Sequence, residues 1–326
     1  MTGTQTTRRR RPALRALLRE RLVWAGVAAV LAVALVGTQR RMPFGGMSYE
    51  RQCAMKAGWE GCAEVVLAGD SRVGVGLSPA AMAEGLPSCM RILNCGFGAV
   101  TFTEDYLNYV ERVLRPKPDQ GYIIVLGISP LTLTEAHAEM NSFISARQTA
   151  AGARWTDRYL GAWAERLILF CQPIRRLDEF RFIGEAPEVD RLSREVLPDG
   201  WNAHEPRFDS YGPTLERYRE MFAGHGVCEE AIGRLVSAVR RWTAAGIRVY
   251  AFRPPAPAEM IALENDLGGF DEPALVARLT GAGAVWIAVD PAAYRTHDSC
   301  HLGRDEALRL SREIAGAIAG RPGMGE

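Results

Sequence analysis

The chain has 326 residues, 48% of them hydrophobic and 24% charged, with 33 Gly and 18 Pro. That composition excludes a disordered, collagen-like or disulfide-knot protein and leaves a globular chain of one large or two small domains. The formal charge of +1 hides an asymmetry. Residues 1–41 carry nine Arg and one Glu, so the remainder holds 30 basic and 37 acidic side chains, a net of −7. A nucleic-acid binder usually has the opposite sign on its folded part, so no nucleic-acid partner is expected.

The early arginines flank an apolar run. Arg8, Arg9, Arg10, Arg11, Arg15, Arg19 and Arg21 precede an uncharged stretch from Leu22 to Gln39, which Arg40 and Arg41 close. These 18 residues, at a helical rise of 1.5 Å, span about 27 Å, close to the hydrocarbon thickness of a bilayer. The Arg excess ahead of the run predicts a cytoplasmic tail over 1–21, a transmembrane anchor over 22–39 and an exported remainder. The expected location is the cell membrane, single-pass, with the main domain periplasmic or at the cell surface. A cleaved signal peptide is the competing reading, because Ala32-Val33-Ala34 has the small-x-small form of a cleavage site. That triplet lies inside the apolar run rather than after it, which favours the anchor.

The cysteines are Cys53, Cys62, Cys89, Cys95, Cys171, Cys228 and Cys300, an odd number that leaves at least one without a partner in the chain. Cys53 and Cys62 form the pair that an oxidising compartment would allow to close a small loop. No CxxC pair and no His/Cys cluster has zinc spacing, so no metal is expected.

Residues 40–62 read as a linker. Beyond them apolar runs recur at Ala63–Ala68, Arg91–Asn94, Tyr122–Leu126, Arg248–Phe252 and Ala284–Val289, several rich in Val and Ile without polar alternation. Such runs are strands covered on both faces. Between them lie helical periods: Tyr106, Tyr109, Val110 and Val113; then Ile232, Leu235, Val236, Val239 and Trp242; then Ala307, Leu310, Ile314 and Ile318. Alternating strands and helices predict a parallel sheet with helices on both faces, in one domain over 63–320 with a tail at 321–326. The third and fourth strands are too far apart for one crossover, so 131–245 reads as a helical insertion. Its amphipathic stretches lie near 156–170, 214–223 and 228–244, and its long loop, 183–213, has the length of a lid or binding loop.

Ligands of open α/β sheets bind at the carboxyl ends of the strands. The first strand ends in Gly69-Asp70-Ser71-Arg72. Ser71 there either caps a helix or presents a nucleophile beside helix N–H groups. After the last strand comes Asp298-Ser299-Cys300-His301. An Asp three residues before a His can orient the imidazole through one ring nitrogen, leaving the other to take a proton from a serine.

These blocks resemble those of the SGNH/GDSL hydrolase superfamily. Gly69-Asp70-Ser71 is similar to its nucleophile block and Asp298-Ser299-Cys300-His301 to its terminal Asp-x-x-His block. Leu93-Asn94-Cys95-Gly96-Phe97-Gly98-Ala99 lies where that family places an oxyanion glycine, with Gly98 the first choice and Gly96 the second. The family usually carries Gly-x-Asn-Asp after the third strand; here Gly127-Ile128-Ser129-Pro130 puts Ser129 at the Asn position. The resemblance covers about 63–130 and 247–318. It implies a three-layer α/β/α, flavodoxin-like five-stranded parallel sheet and a Ser71–His301–Asp298 triad, with Ser71, Gly98 and Ser129 around the oxyanion and no cofactor. The anchored layout is similar to an envelope acyl-transfer subset. It implies an esterase or O-acyltransferase acting on acyl esters of a polysaccharide or glycan, with envelope acyl-transfer proteins as partners. A non-catalytic envelope protein that binds a glycan or a partner is the rival reading.

Arg72 and Arg253 follow strands and are candidates to hold an anionic substrate group, an ion pair with a nearby carboxylate being the alternative. His297 reads as a loop neighbour of the dyad, and His137, His204 and His225 as surface residues. Trp201 and Tyr211 are placed to stack on a sugar ring, Trp155, Trp163 and Phe170 read as core, and Cys300 as packing.

Overall fold

The computed structural model describes residues 24, 26, 27, 49–114, 121–135, 141–148, 192–206 and 211–320. Residues 1–46 form a unit of their own, of which only Trp24, Gly26 and Val27 are described, all helical and exposed. Among the described residues no helix is long and apolar enough to cross a membrane. The anchor expected at 22–39 otherwise lies outside them, as do Trp155, Trp163, Phe170, His137 and Cys171.

The second unit, from Met47 onward, is built on a five-stranded parallel sheet. Its strands are β1 (Val65–Ala68), β2 (Ile92–Asn94), β3 (Ile123–Gly127), β6 (Arg248–Phe252) and β7 (Val285–Trp286), in the order β2-β1-β3-β6-β7. β1 is the hinge of the topology. Val65 pairs with Ile92 on one side and Ile123 on the other, so the chain leaves β1 in one direction and resumes beyond it in the other. This is the flavodoxin-like order, with its crevice between the carboxyl ends of β1 and β3.

Every side chain of β1 and β3 is buried. Alternate residues point to opposite faces, as the pleat requires. Val66, Ala68, Ile124, Leu126, Val249 and Ala251 join one core with helices α4 (Glu104–Val113), α7 (Glu229–Ala244) and α9 (Glu272–Gly281). Val65, Leu67, Ile123, Val125, Tyr250 and Phe252 join the other with α2 (Ser71–Gly76), α3 (Pro79–Ala83) and α10 (Arg304–Ala319). The helical faces read from the sequence are those buried. Tyr106, Tyr109, Val110 and Val113 of α4 sit inside, and the Thr103 Oγ1 accepts the N–H of Tyr106 at 3.3 Å to start that helix. Ala307, Leu310, Ile314 and Ile318 of α10 are likewise buried.

Three expectations are corrected. The stretch taken as a linker contains helix α1 (Tyr49–Ala57), folded into the domain with Gln52, Cys53 and Lys56 buried. Two of those three are polar, so α1 has no apolar stripe by which its burial could be foreseen. Cys53 and Cys62 are not bridged to each other by a disulfide. The insertion is not purely helical: β4 (Leu192–Val196) and β5 (Asn202–Pro206) form an antiparallel hairpin within the expected long loop. Its turn is Pro198-Asp199-Gly200, with Gly200 at φ 94° and its N–H donated to the Leu197 carbonyl at 3.1 Å. Pro, Asp and Gly in succession were the available signal. The other described helices of that region are α5 (Ser142–Gln148), α6 (Tyr211–Phe222) and α7; α8 (Ala258–Asp266) follows β6.

Candidate active site

Ser71 opens α2 directly after β1. Asp70, its N-cap, accepts the Arg72 N–H at Oδ1 (2.9 Å), and its carbonyl accepts those of Val73 (3.1 Å) and Gly74 (3.0 Å). The Ser71 N–H is the one amide of this first turn that no described residue meets. The tight turn requires glycine: Gly69 has φ 153°, and a Cβ there would lie 2.5 Å from the Gly127 carbonyl oxygen and from Val73. Gly96 is needed for another reason. Its Cβ would fall 2.3 Å from the Gly74 nitrogen, so only glycine lets the loop after β2 lie against α2.

The partner of Ser71 comes from the other end of the chain. His301 Nε2 is 2.8 Å from Ser71 Oγ, and His301 Nδ1 is 2.7 Å from Asp298 Oδ2. A carboxylate only accepts, so Nδ1 carries the proton and Nε2 presents its lone pair to the serine hydroxyl. Asp298 Oδ1 also accepts the His301 N–H at 2.7 Å and the Cys300 N–H at 3.2 Å. Ser299 makes this fold-back by adopting φ 72°, a left-handed conformation uncommon outside glycine. The turn is closed by the His297 N–H donating to the His301 carbonyl at 2.9 Å.

The titration of this pair follows from its setting. Burial, the largest influence, pulls His301 down, but Cys300 and Asp298 beside it outweigh that and hold it well above the usual imidazole range. Burial likewise pushes Asp298 up, yet the neighbouring His301 holds it well below the usual carboxylate range.

The oxyanion positions differ from expectation. The Ser129 hydroxyl donates to Asp70 Oδ2, and Ser129 is fully buried, so its single proton is not presented to the site. The Gly98 N–H donates to the Tyr49 hydroxyl at 2.8 Å, and the Gly96 N–H to Asn94 Oδ1 at 2.9 Å. Arg72 and Arg253 are also corrected. Both are drawn to the fully buried Glu264, Arg72 at 2.5 Å and Arg253 at 2.8 Å, and Arg253 also reaches Glu272 at 2.9 Å. They form the ion-pair alternative, with a buried carboxylate gathering two guanidiniums.

Ser71 and His301 line a cavity of about 190 Å³ with Tyr49, Gln52, Lys56, Gly74, Val75, Gly96, Asn202 and His204. A wider depression of about 740 Å³ around Arg253, Asn265 and Phe270 shares no residue with it. Sequence reasoning missed Tyr49, Gln52, Lys56 and Asn202 at the site, and misplaced His204. That histidine is buried, with Nδ1 3.3 Å from His297 Nε2 and its ring 5.8 Å from that of His301. Trp201 is buried too, donating its indole N–H to the Val75 carbonyl at 2.7 Å, and so is not offered to a sugar ring. The side chain of Tyr211 lies outside the described residues. Lys56 donates to the carbonyls of Gly96 and Gly200, lies over the Phe97 ring at 4.8 Å, and is pushed down to about 8 by burial. It joins α1, the loop after β2 and the hairpin.

Cys300 is buried against Leu131, Tyr218, Met221 and Met260, with Sγ 3.1 Å from His301 Nδ1. Asp298, Cys300 and His301 bring three metal-donor atoms within 4.8 Å of one another, the one such group among the described residues. The imidazole and carboxylate are already bonded to each other.

The fold and its crevice define an α/β protein with a serine, a histidine and an aspartate in hydrogen-bond contact at the switch point of the sheet. No protein-family model and no curated protein matches the chain. Among solved structures it is similar to Est24, a carbohydrate acetylesterase from Sinorhizobium meliloti, at 12% identity and a TM-score of 0.37, over 78% of this chain and 97% of that one.

Proposed function

We propose that the chain is a serine esterase or O-acyltransferase acting on small acyl esters, with Ser71 as nucleophile, His301 as general base and Asp298 as the group that orients it. The observation that carries this reading is the bond series from Asp298 Oδ2 through His301 to Ser71 Oγ, at 2.7 and 2.8 Å. His301 Nε2 takes the serine proton as Oγ bonds to the ester carbonyl carbon, and the carbonyl electron pair moves onto oxygen. The Ser71 N–H, which no described residue meets, supports a role as an oxyanion donor. Collapse of the tetrahedral species breaks the bond to the alcohol, which leaves with the proton from His301. The same steps, with water or a second hydroxyl as the attacking group, release the acyl group. The arginine block and apolar run ahead of the domain support an exported, membrane-anchored enzyme whose esters belong to an envelope glycan.

The second reading, a glycan- or partner-binding protein without turnover, draws on the engagement of Gly98 with Tyr49 and of Ser129 with Asp70. Labelling with a fluorophosphonate serine probe separates the two. The esterase reading expects labelling that Ser71→Ala and His301→Ala both abolish with folding intact. A folded wild-type chain that neither labels nor hydrolyses any small ester overturns it.

A further inference from the structure

The cavity beside Ser71 has a polar wall with an uncommon imbalance. Gln52 is fully buried, and its Nε2 lies 3.0 Å from the carbonyl oxygens of both Leu197 and Trp201. Two acceptors on one amide atom identify that atom as the nitrogen donor, so Oε1 is the end that remains. Gln52 Oε1 has no hydrogen-bond partner among the described residues, and neither has Oδ1 of Asn202, a residue 5% exposed. Both residues line the cavity that holds Ser71 and His301. Asn94 nearby shows what a structural amide does here: its Nδ2 donates to Val73 and Leu77 carbonyls at 2.8 and 2.7 Å while its oxygen accepts the Gly96 N–H. Lys56, which also lines the cavity, donates to two backbone carbonyls instead of to either amide oxygen.

Buried acceptors without donors are unfavourable until a ligand supplies the protons. We propose that Gln52 Oε1 and Asn202 Oδ1 form an acceptor subsite for a hydroxyl-bearing portion of the substrate ester. This rests on the esterase reading and names the chemistry its substrate must carry. An alkyl group in the cavity leaves both oxygens unpaired, whereas a hydroxylated one pairs them, and a site of that kind discriminates strongly against an analogue lacking the hydroxyl. Size narrows the class further. A cavity of about 190 Å³ holds roughly six water volumes, enough for a short hydroxylated group and too little for a long acyl chain.

The hydroxyls belong either to the alcohol or to the acyl part of the ester, and two substrate pairs separate these. With the full chain, kcat/KM is measured for an acetylated methyl glycoside against cyclohexyl acetate, and for p-nitrophenyl glycolate against p-nitrophenyl propionate. The expected result is a preference of at least about tenfold, the worth of one or two hydrogen bonds, for the hydroxylated member of one pair. Asn202→Leu should reduce that ratio several-fold without lowering Tm, because the replaced amide oxygen holds no bond to a described residue. Gln52→Met should reduce the ratio as well. Hydrolysis of both members of each pair at equal kcat/KM overturns the subsite and leaves the esterase reading standing. A preference unchanged in both variants overturns the assignment to Gln52 and Asn202. Absence of both hydrolysis and serine labelling in the folded chain overturns the esterase reading itself, and the subsite with it.

Discussion

His301 Nε2 reaches Ser71 Oγ at 2.8 Å across 230 residues of sequence. The packing of α10 onto α2 brings them together. Leu302, next to His301, is buried in the same cluster as Val73 and Leu77, and one of its methyl carbons lies 3.6 Å from where a Cβ on Gly76 would sit. Leu302→Ala should therefore cost about 2–5 kcal/mol in denaturant unfolding and also lower turnover, because His301 loses its backing. Turnover unaffected by the substitution would show that the imidazole is positioned by its own turn alone.

Asp298→Asn tests orientation against charge. The retained Oδ1 keeps the turn bonds to Cys300 and His301, but an amide nitrogen facing Nδ1 favours the tautomer with the proton on Nε2. Turnover should fall by about 10⁴-fold with circular dichroism unchanged, the magnitude seen for this change in other serine triads. A fall under tenfold would remove Asp298 from the mechanism.

The pH dependence of activity and of stability should run in opposite directions. In the proposed mechanism His301 acts as a base only when neutral, and it is held well above its ordinary value of about 6.5, so kcat/KM should rise with pH through a midpoint above that value. A raised folded-state value stabilises the fold below the unfolded value and loses that contribution as pH climbs through the folded one. Stability relative to His301→Ala should accordingly decline over the same range in which activity grows. Asp298, held low, contributes stability above about pH 4 that disappears only in strong acid. Paired pH series of kcat/KM and unfolding free energy would check both signs.

Glu264 holds two guanidiniums inside the protein. Glu264→Gln should destabilise by about 3–5 kcal/mol, because Arg72 stays buried with its counter-charge gone while Arg253 keeps only Glu272. Arg253→Met should lower stability while leaving kcat/KM for a neutral ester unchanged. A specific rise in KM would return Arg253 to the substrate.

Gly96→Ala places a methyl group 2.3 Å from the Gly74 nitrogen and 2.9 Å from the Asp70 carbonyl oxygen. Backbone must move, so a loss of about 1–3 kcal/mol is expected, with slower serine labelling as α2 shifts. Equal labelling rates in mutant and wild type would show that Ser71 tolerates the displacement.

Much of the α/β core was legible because it is repetitive physics. Short unbroken apolar runs such as Ile123–Leu126, rich in Ile and Val, suit strands covered on two faces, and the period of Leu310, Ile314 and Ile318 suits one buried side of a helix. Asp298 and His301 were legible as a pair because their spacing is local, and Ser71 because it follows a strand directly. The hairpin was missed although Pro198-Asp199-Gly200 announced its turn, since β4 and β5 mix polar and apolar residues and carry no clear strand pattern.

By itself the sequence determined the five runs that form the parallel sheet and the main helical faces packed on it, and it singled out Ser71, Asp298 and His301 as residues to look for together. Hydrophobic period and turn chemistry are local properties, written within a few residues of where they act. Only the tertiary structure decided which polar groups meet. Glu264 claimed Arg72 and Arg253, Asp70 claimed Ser129, and Tyr49 claimed Gly98. It also brought Gln52 and Asn202, 150 positions apart in number, to the wall beside Ser71. Hydrogen bonds and ion pairs between distant residues depend on ångström-scale placement, and that placement is set by the packing of the whole domain.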